Sequence, residues 1–259
     1  MFFAACKKEI REIVPQEIST ETLLQITNLG FSTEGIKKEE GGYIVEGDIF
    51  LPEADLQFQS TSPNMVIAQE EQYRTFRIVN SLAYPRIKVT LNKGSSAHQR
   101  VLSAALNEAI KRFNAQHLNV KFQHGNSKNA HTNITTYNEE SNTLASAGFP
   151  TNNGAPFNSI RINTYNLSAS TSAENINYIA TIMAHELGHC IGFRHTDYKN
   201  RAYSCGGAVS NEGQSGVGAV QIPGTPANAN AGSWMLACIG SGDNRPFNTN
   251  DITALKYVY

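Results

Sequence analysis

Hydrophobic positions recur along this chain with two different periods, and the changes of period lay out its elements. Between residues 96 and 116, Val101, Leu102, Ala105, Leu106, Ala109, Ile110 and Phe113 return at three- and four-residue steps, which predicts an amphipathic helix with one core-facing stripe. Just before it, RIKVTL at residues 86–91 alternates apolar and polar, as a half-buried strand does. Short strands are expected at residues 119–123, 133–137 and 159–163, between loops rich in Asn, Ser and Gly. A second helix should begin near Ser172, where Thr171 and Glu174 stand in capping-box spacing, run through NYIATIMAHELGHCIG, and stop at Gly192. Upstream, residues 15–29 read as a helix opened by Pro15 and closed by Gly30. Gly41 and Gly42 then make a turn, and residues 43–51 read as one extended segment. Strand, helix and further strands without an internal repeat make an α/β or α+β domain.

The texture divides the chain. Residues 7–84 are rich in Glu, Lys and Ile and form a small module and linker, the linker being the polar stretch QSTSPNMVIAQEEQYR. Residues 85–259 form the main domain. With 259 residues, 40% hydrophobic and 17% charged, there is ample material for a core. The net charge of −1, with basic residues spread along the chain, argues against nucleic acid as a partner. No apolar run approaches the roughly 18 to 20 residues of a membrane span. Residues 1–6, MFFAAC, resemble the tail of a bacterial lipoprotein signal, although the basic start and most of the apolar stretch are missing. That resemblance implies an exported, secreted or cell-surface protein with a possible lipid anchor at Cys6; the alternative is an accidental match.

Candidate chemistry concentrates in HELGHCIGFRH, residues 185–195, which holds three of the seven histidines. A helix advances about 100° per residue, so His185 and His189 share one face, a turn apart, where two imidazoles can meet one ion. If Gly192 reverses the chain, His195 swings back as a third ligand. Three histidines leave a tetrahedral ion one open position, the mark of a catalytic rather than a structural zinc. Glu186, beside the first ligand, is placed as general base for metal-assisted peptide hydrolysis. Cys190 points away from the ligand face and reads as a buried packing thiol.

HELGHCIGFRH matches the metzincin consensus HExxHxxGxxH in full, and GSWMLAC, with Ser233 and Met235, resembles the methionine turn of that clan. HELGHCIGFRHTD, IPGTP, the cysteine after the turn and the closing DITALKYVY resemble most the bacterial dual-action HEIGH metallopeptidases, with Leu187 where the name has isoleucine. The resemblance implies a metzincin-like α+β zincin: a twisted mixed sheet with a substrate-pairing edge strand, an active-site helix, a methionine turn supported by Met235 and a C-terminal helix. Residues 159–163 are the candidate edge strand and residues 250–259 the final helix. It also implies a zinc endopeptidase acting on protein or peptide substrates. Astacins and serralysins carry a tyrosine two residues after the turn methionine; here Ala237 stands there. Cys205 and Cys238 flank the loop leading into the turn, so in an exported protein a disulfide would pin the floor of the site; otherwise they are buried thiols.

YIVEGDIFLP resembles the propeptide segment of astacins, with Glu46, Gly47 and Asp48 matching and Val45 in place of phenylalanine. There the aspartate takes the zinc position needed by water, so Asp48 is expected to keep a zymogen latent until an activating protease cuts between residues 59 and 83. Cys6 is a rival zinc-blocking group, and the plain alternative makes Gly47 and Asp48 a turn in an accessory module. A non-catalytic surface protein that binds peptides or glycoproteins is the alternative function. The intact Glu186 argues against it.

Overall fold

The structure, a computed structural model, describes residues 18–29, 31–57, 72–92, 97–209, 211–212, 218–226 and 229–259. Helix α1 spans Thr20–Asn28. It starts later than the proline signal suggests because Ser19 is extended and its side chain accepts from Thr22 N–H, which makes Ser19 the cap. Pro15, Gly30 and Cys6 lie outside the described residues.

Residues 43–51 do not form one strand. Strand β1 (Lys37–Glu39) pairs with β2 (Gly42–Val45), and β2 pairs antiparallel with β3 (Ile49–Pro52) in a hairpin closed by Val45 opposite Ile49. The chain reverses between them because Glu46 (φ 55°) and Gly47 (φ 89°) are both left-handed. Gly47 adopts that conformation without the clash a side chain would bring. A short 3-10 segment, Glu53–Gln57, ends the module.

The main sheet adds β5 (Arg86–Leu91), β6 (Lys121–His124), β7 (Thr132–Tyr137), β8 (Ala145–Ala147) and β9 (Ser159–Asn163). Among the described residues its order is β1-β2-β3-β8-β9-β7-β5-β6. Thus β9 is not an edge strand: it lies between β7, parallel to it, and β8, antiparallel to it. The sequence Ala-Ser-Ala of β8 carries no alternation of apolar and polar side chains, which is why no strand was expected there. On its far side β8 receives β3 in parallel, through Ile49 and Ala147.

Helix α2 (Gln99–Asn114) buries the stripe read from the sequence, and helix α3 (Ala173–Ile191) packs beside it. The cap of α3 is Ser172, one residue beyond Thr171, accepting from Asn175 N–H. From Tyr178 to Ile191 every side of α3 is buried, by the sheet, by α2 and by the methionine turn. The core joins Ile87, Val89, Ile134, Ile160 and Ile162 of the sheet to Phe113 of α2 and Met183 and Leu187 of α3. Full burial of each such side chain contributes roughly 1.5–3 kcal/mol. A second, smaller cluster joins Ile26, Leu29, Phe31, Tyr43, Val45, Ile49 and Leu51, and borrows Phe149 from beyond the module.

Residues 72–84 run against the main core. Strand β4 (Tyr73–Arg74) pairs with β10 (Val220–Gln221); Thr75 N–H donates to Gly192 O, and Arg194 N–H to Tyr73 O. Helix α4 (Ala202–Cys205) and the C-terminal helix α5 (Thr249–Val258) complete the element order. In α5, Asn248 and Asp251 form a reciprocal capping box. No helix among the described residues is long and apolar enough to cross a membrane.

Candidate metal centre

The three histidines are positioned one by one. His185 and His189 sit a turn apart near the end of α3, which Gly192 closes with φ 108°. A side chain at Gly192 would put its Cβ 2.5 Å from Arg77 O, so both the left-handed backbone and the space call for glycine. The reversal returns His195 to the same point. Each ring is held through Nδ1–H: His185 donates to Trp234 O (3.0 Å), His189 to Phe193 O (2.9 Å), and His195 to Glu212 Oε1 (2.8 Å). The Nε2 atoms of His185 and His189 are 3.0 Å apart.

Asp48, at the tip of the β2–β3 hairpin, joins them. Its Oδ2 lies 3.2 Å from His185 Nε2, 3.1 Å from His195 Nε2 and 4.0 Å from His189 Nε2. One ligand atom from each of the four residues falls within 4.8 Å of the others. Carbonyl and carboxylate oxygens only accept, so Nδ1 carries the proton in all three rings and, in neutral imidazole, Nε2 is a lone pair. Three lone pairs and a carboxylate oxygen meet with no hydrogen among them, and Asp48 Oδ1 is buried without a partner among the described residues. Such a donor set fits a divalent cation, and nitrogen-rich donors at this spacing suit zinc.

Electrostatics follow the burial. Burial alone would raise the Asp48 carboxyl, but the imidazoles gathered around it, His195 first, hold it well below the usual range. Glu186 is pushed well above its usual value by burial and by the Asp48 charge, and its Oε2 has no partner among the described residues. Burial and the neighbouring rings lower His189 well below an ordinary histidine.

Met235 is fully buried. Its carbonyl accepts from Thr196 N–H (2.9 Å), so the turn is pinned to the residue after His195 as well as to His185 through Trp234. Gly188 is where helix and turn meet: a Cβ there would stand 2.6 Å from both Met235 Sδ and the Trp234 ring. Cys205 and Cys238 form the disulfide. Cys190 is a buried thiol, raised by burial. Ala237 uses its N–H on Asp197 Oδ1 (3.0 Å) and brings no side-chain donor.

A buried network behind His195 was not read from the sequence. Glu212 takes the His195 proton donor, and its carboxyl sits at about 2 because, against burial, His195, Arg194 and Arg201 favour its charge. Arg194 is fully buried and donates to both oxygens of Glu46 in the hairpin (3.2 and 3.1 Å). Only the position of Arg194 within the histidine motif hinted at this; Glu212 lies in a loop without pattern. A cavity of about 500 Å³ opens beside His185 and Glu186, walled by Leu144, Ile182, Leu236 and Ile239.

A family model described as dual-action HEIGH metallo-peptidase matches residues 45–259. No curated protein has significant sequence similarity to the chain. Solved structures similar to it include two of myroilysin and one of high choriolytic enzyme 1, a hatching enzyme zinc-protease from Oryzias latipes (medaka fish). The first myroilysin match has 18% identity and TM-score 0.34, covering 48% of this chain and only 56% of that one. The second has 15% identity and TM-score 0.39, covering 65% and 81%. The hatching enzyme has 15% identity and TM-score 0.39, covering 69% and 91%.

Proposed function

The chain belongs to the dual-action HEIGH metallopeptidases, and on that premise we propose that it is a zinc endopeptidase held latent by its own N-terminal hairpin. The observation that carries this reading is the convergence of Asp48 Oδ2 on the Nε2 atoms of three histidines. His185, His189 and His195 would hold the zinc, which would supply Lewis acidity at the scissile carbonyl. Glu186 is the general base: its buried carboxylate takes a proton from the attacking water and delivers it to the leaving amine. Asp48 occupies the place that water and substrate need, which makes the uncut chain inactive.

Cleavage within residues 58–71 frees the hairpin, since residues 72–84 are tied to the main core. Loss of β3 exposes β8 as an edge, where an extended peptide adds as a strand; backbone pairing suits flexible protein substrates of varied sequence. The disulfide agrees with export to an oxidising compartment. A lipid anchor at Cys6 belongs to the same proposal, and mass spectrometry of the N-terminal peptide tests it. The central test is casein digestion by full-length and linker-cleaved protein, with and without a chelator, beside Glu186→Ala. Chelator-sensitive digestion after cleavage and none by Glu186→Ala are expected; equal digestion before and after cleavage would remove latency, and digestion untouched by chelator would remove the metal mechanism.

A further inference from the structure

Three consecutive carbonyls of the turn Glu46, Gly47 and Asp48 accept hydrogen bonds from across the cleft. Ala147 N–H of β8 donates to Asp48 O at 3.0 Å, Thr143 Oγ1 donates to Gly47 O at 3.3 Å, and Arg201 Nη1 donates to Glu46 O. The cleft therefore already grips a peptide backbone, and that backbone is its own. Of the three donors, Arg201 is the one with a charge.

Its orientation does not depend on the hairpin. Nη1 also donates to Glu212 Oε1 at 3.0 Å, and Glu212 is fully buried. The backbone beside it is anchored too, because α4 begins at the next residue and ends at Cys205, which the disulfide ties to Cys238 beyond the methionine turn. The guanidinium lies against Gly47, where a Cβ would be 3.3 Å from Nη2, and lines the cavity together with His185 and Glu186. When the hairpin leaves, a largely buried cation held from behind faces an acceptor position that has emptied. Leaving such a donor unpaired is costly, and a substrate carbonyl is chemically the same acceptor as Glu46 O. Other cations at the cavity are differently placed: Lys37 departs with the module, and Arg245 donates to Cys238 O at 2.8 Å. Ala237 offers no side-chain donor.

We propose that Arg201 is a substrate-binding residue of the active form, donating to a backbone carbonyl of the bound peptide beside the histidines, and that Glu46 O fills that place in the latent chain. This rests on the endopeptidase reading above. The test uses the full chain with an engineered cleavage site in residues 58–71, cut after folding, as wild type, Arg201→Gln and Arg201→Lys. An uncharged fluorogenic peptide reports kcat and KM, a synthetic peptide of residues 42–52 reports binding by competition with a labelled copy of itself, and zinc content is measured on the same samples. Arg201→Gln should lower kcat/KM about 10- to 100-fold and weaken the hairpin peptide about 10-fold or more, with zinc content unchanged. Arg201→Lys, a point charge in place of a fork, should recover part of both. Wild-type kcat/KM and peptide affinity in Arg201→Gln would overturn the proposal, as would zinc loss in proportion to activity, which would make Arg201 a support for Glu212 and His195. If Arg201→Gln does not fold, Arg201→Lys carries the test: a drop of about 3- to 10-fold is expected, and no drop overturns it. Absence of chelator-sensitive hydrolysis by cut wild type would sink the endopeptidase reading, while the peptide-binding arm would still decide for or against Arg201.

Discussion

The helix that carries the histidines and the hairpin that faces them meet at one point but are held there by different means. Helix α3 is buried on all sides from Tyr178 onward, in the same cluster as the sheet and α2. The hairpin joins the sheet through the residue pair Ile49 with Ala147, shares Phe149 with a small cluster, sets Phe50 against Phe157, and is further fastened by polar contacts: Glu46 with Arg194, Glu39 with Arg161, and the three carbonyls of its turn. Apolar burial on many sides makes a permanent element. Fewer contacts, on one face, make the more loosely held part, as the proposed latency requires.

The largest effect that would sharpen this contrast is chemical. Glu186→Ala should lower kcat/KM of the cleaved protein by about 10²- to 10⁴-fold, the range for losing a general acid–base group, while its melting temperature stays near wild type. Next come paired truncations in the two cores. Ile160→Ala in the sheet should cost about 2–5 kcal/mol in urea unfolding, whether or not the linker is cut, and reduce the activity of the cut protein. Val45→Ala in the hairpin, equally buried, removes only two methyl groups, should cost about 1–2 kcal/mol at most, and should raise digestion by the uncut chain. Equal loss of activity in both variants would break the comparison. Asp48→Ala should raise uncut activity further, because it removes the carboxylate that faces the three histidines; unchanged activity would count against Asp48 as the proposed block.

A smaller effect concerns pH. Burial raises the Asp251 carboxyl to about 7, against hydrogen bonds from Asn248, Ser233, Trp234 and Gln72. The folded chain then holds this proton more tightly than the unfolded one, so its contribution is full below about pH 4 and is lost as pH rises towards 7. The slope is at most about 1.4 kcal/mol per pH unit. Asp251→Asn should flatten it, as read from urea midpoints at pH 5 and pH 7.5.

Much of the permanent region was legible in the sequence. The stripe on α2, the alternation of β5, the limits of β9 and the Gly192 stop depend on neighbours within a few residues, and helical geometry alone brings His185 and His189 together. The N-terminal module and its surroundings were harder to read. Residues 43–51 looked like one strand because the turn depends on Glu46 taking a left-handed backbone, a conformation that glutamate does not advertise. The beginning of α1 went to Ser19 because a side-chain cap outweighs a proline signal. β9 looked like the edge because β8, three small residues, has no pattern that separates it from a loop.

By itself, then, the sequence determined the three histidines of the motif and the glutamate beside the first of them, because residue type and helical repeat are local properties. Tertiary structure alone decided what completes the site: Trp234 O and Glu212 turning two of the rings, Asp48 arriving from 137 residues away, and Arg201 reaching the turn. Those contacts join residues distant along the chain and form only when burial brings their backbones together, so no short-range pattern records them.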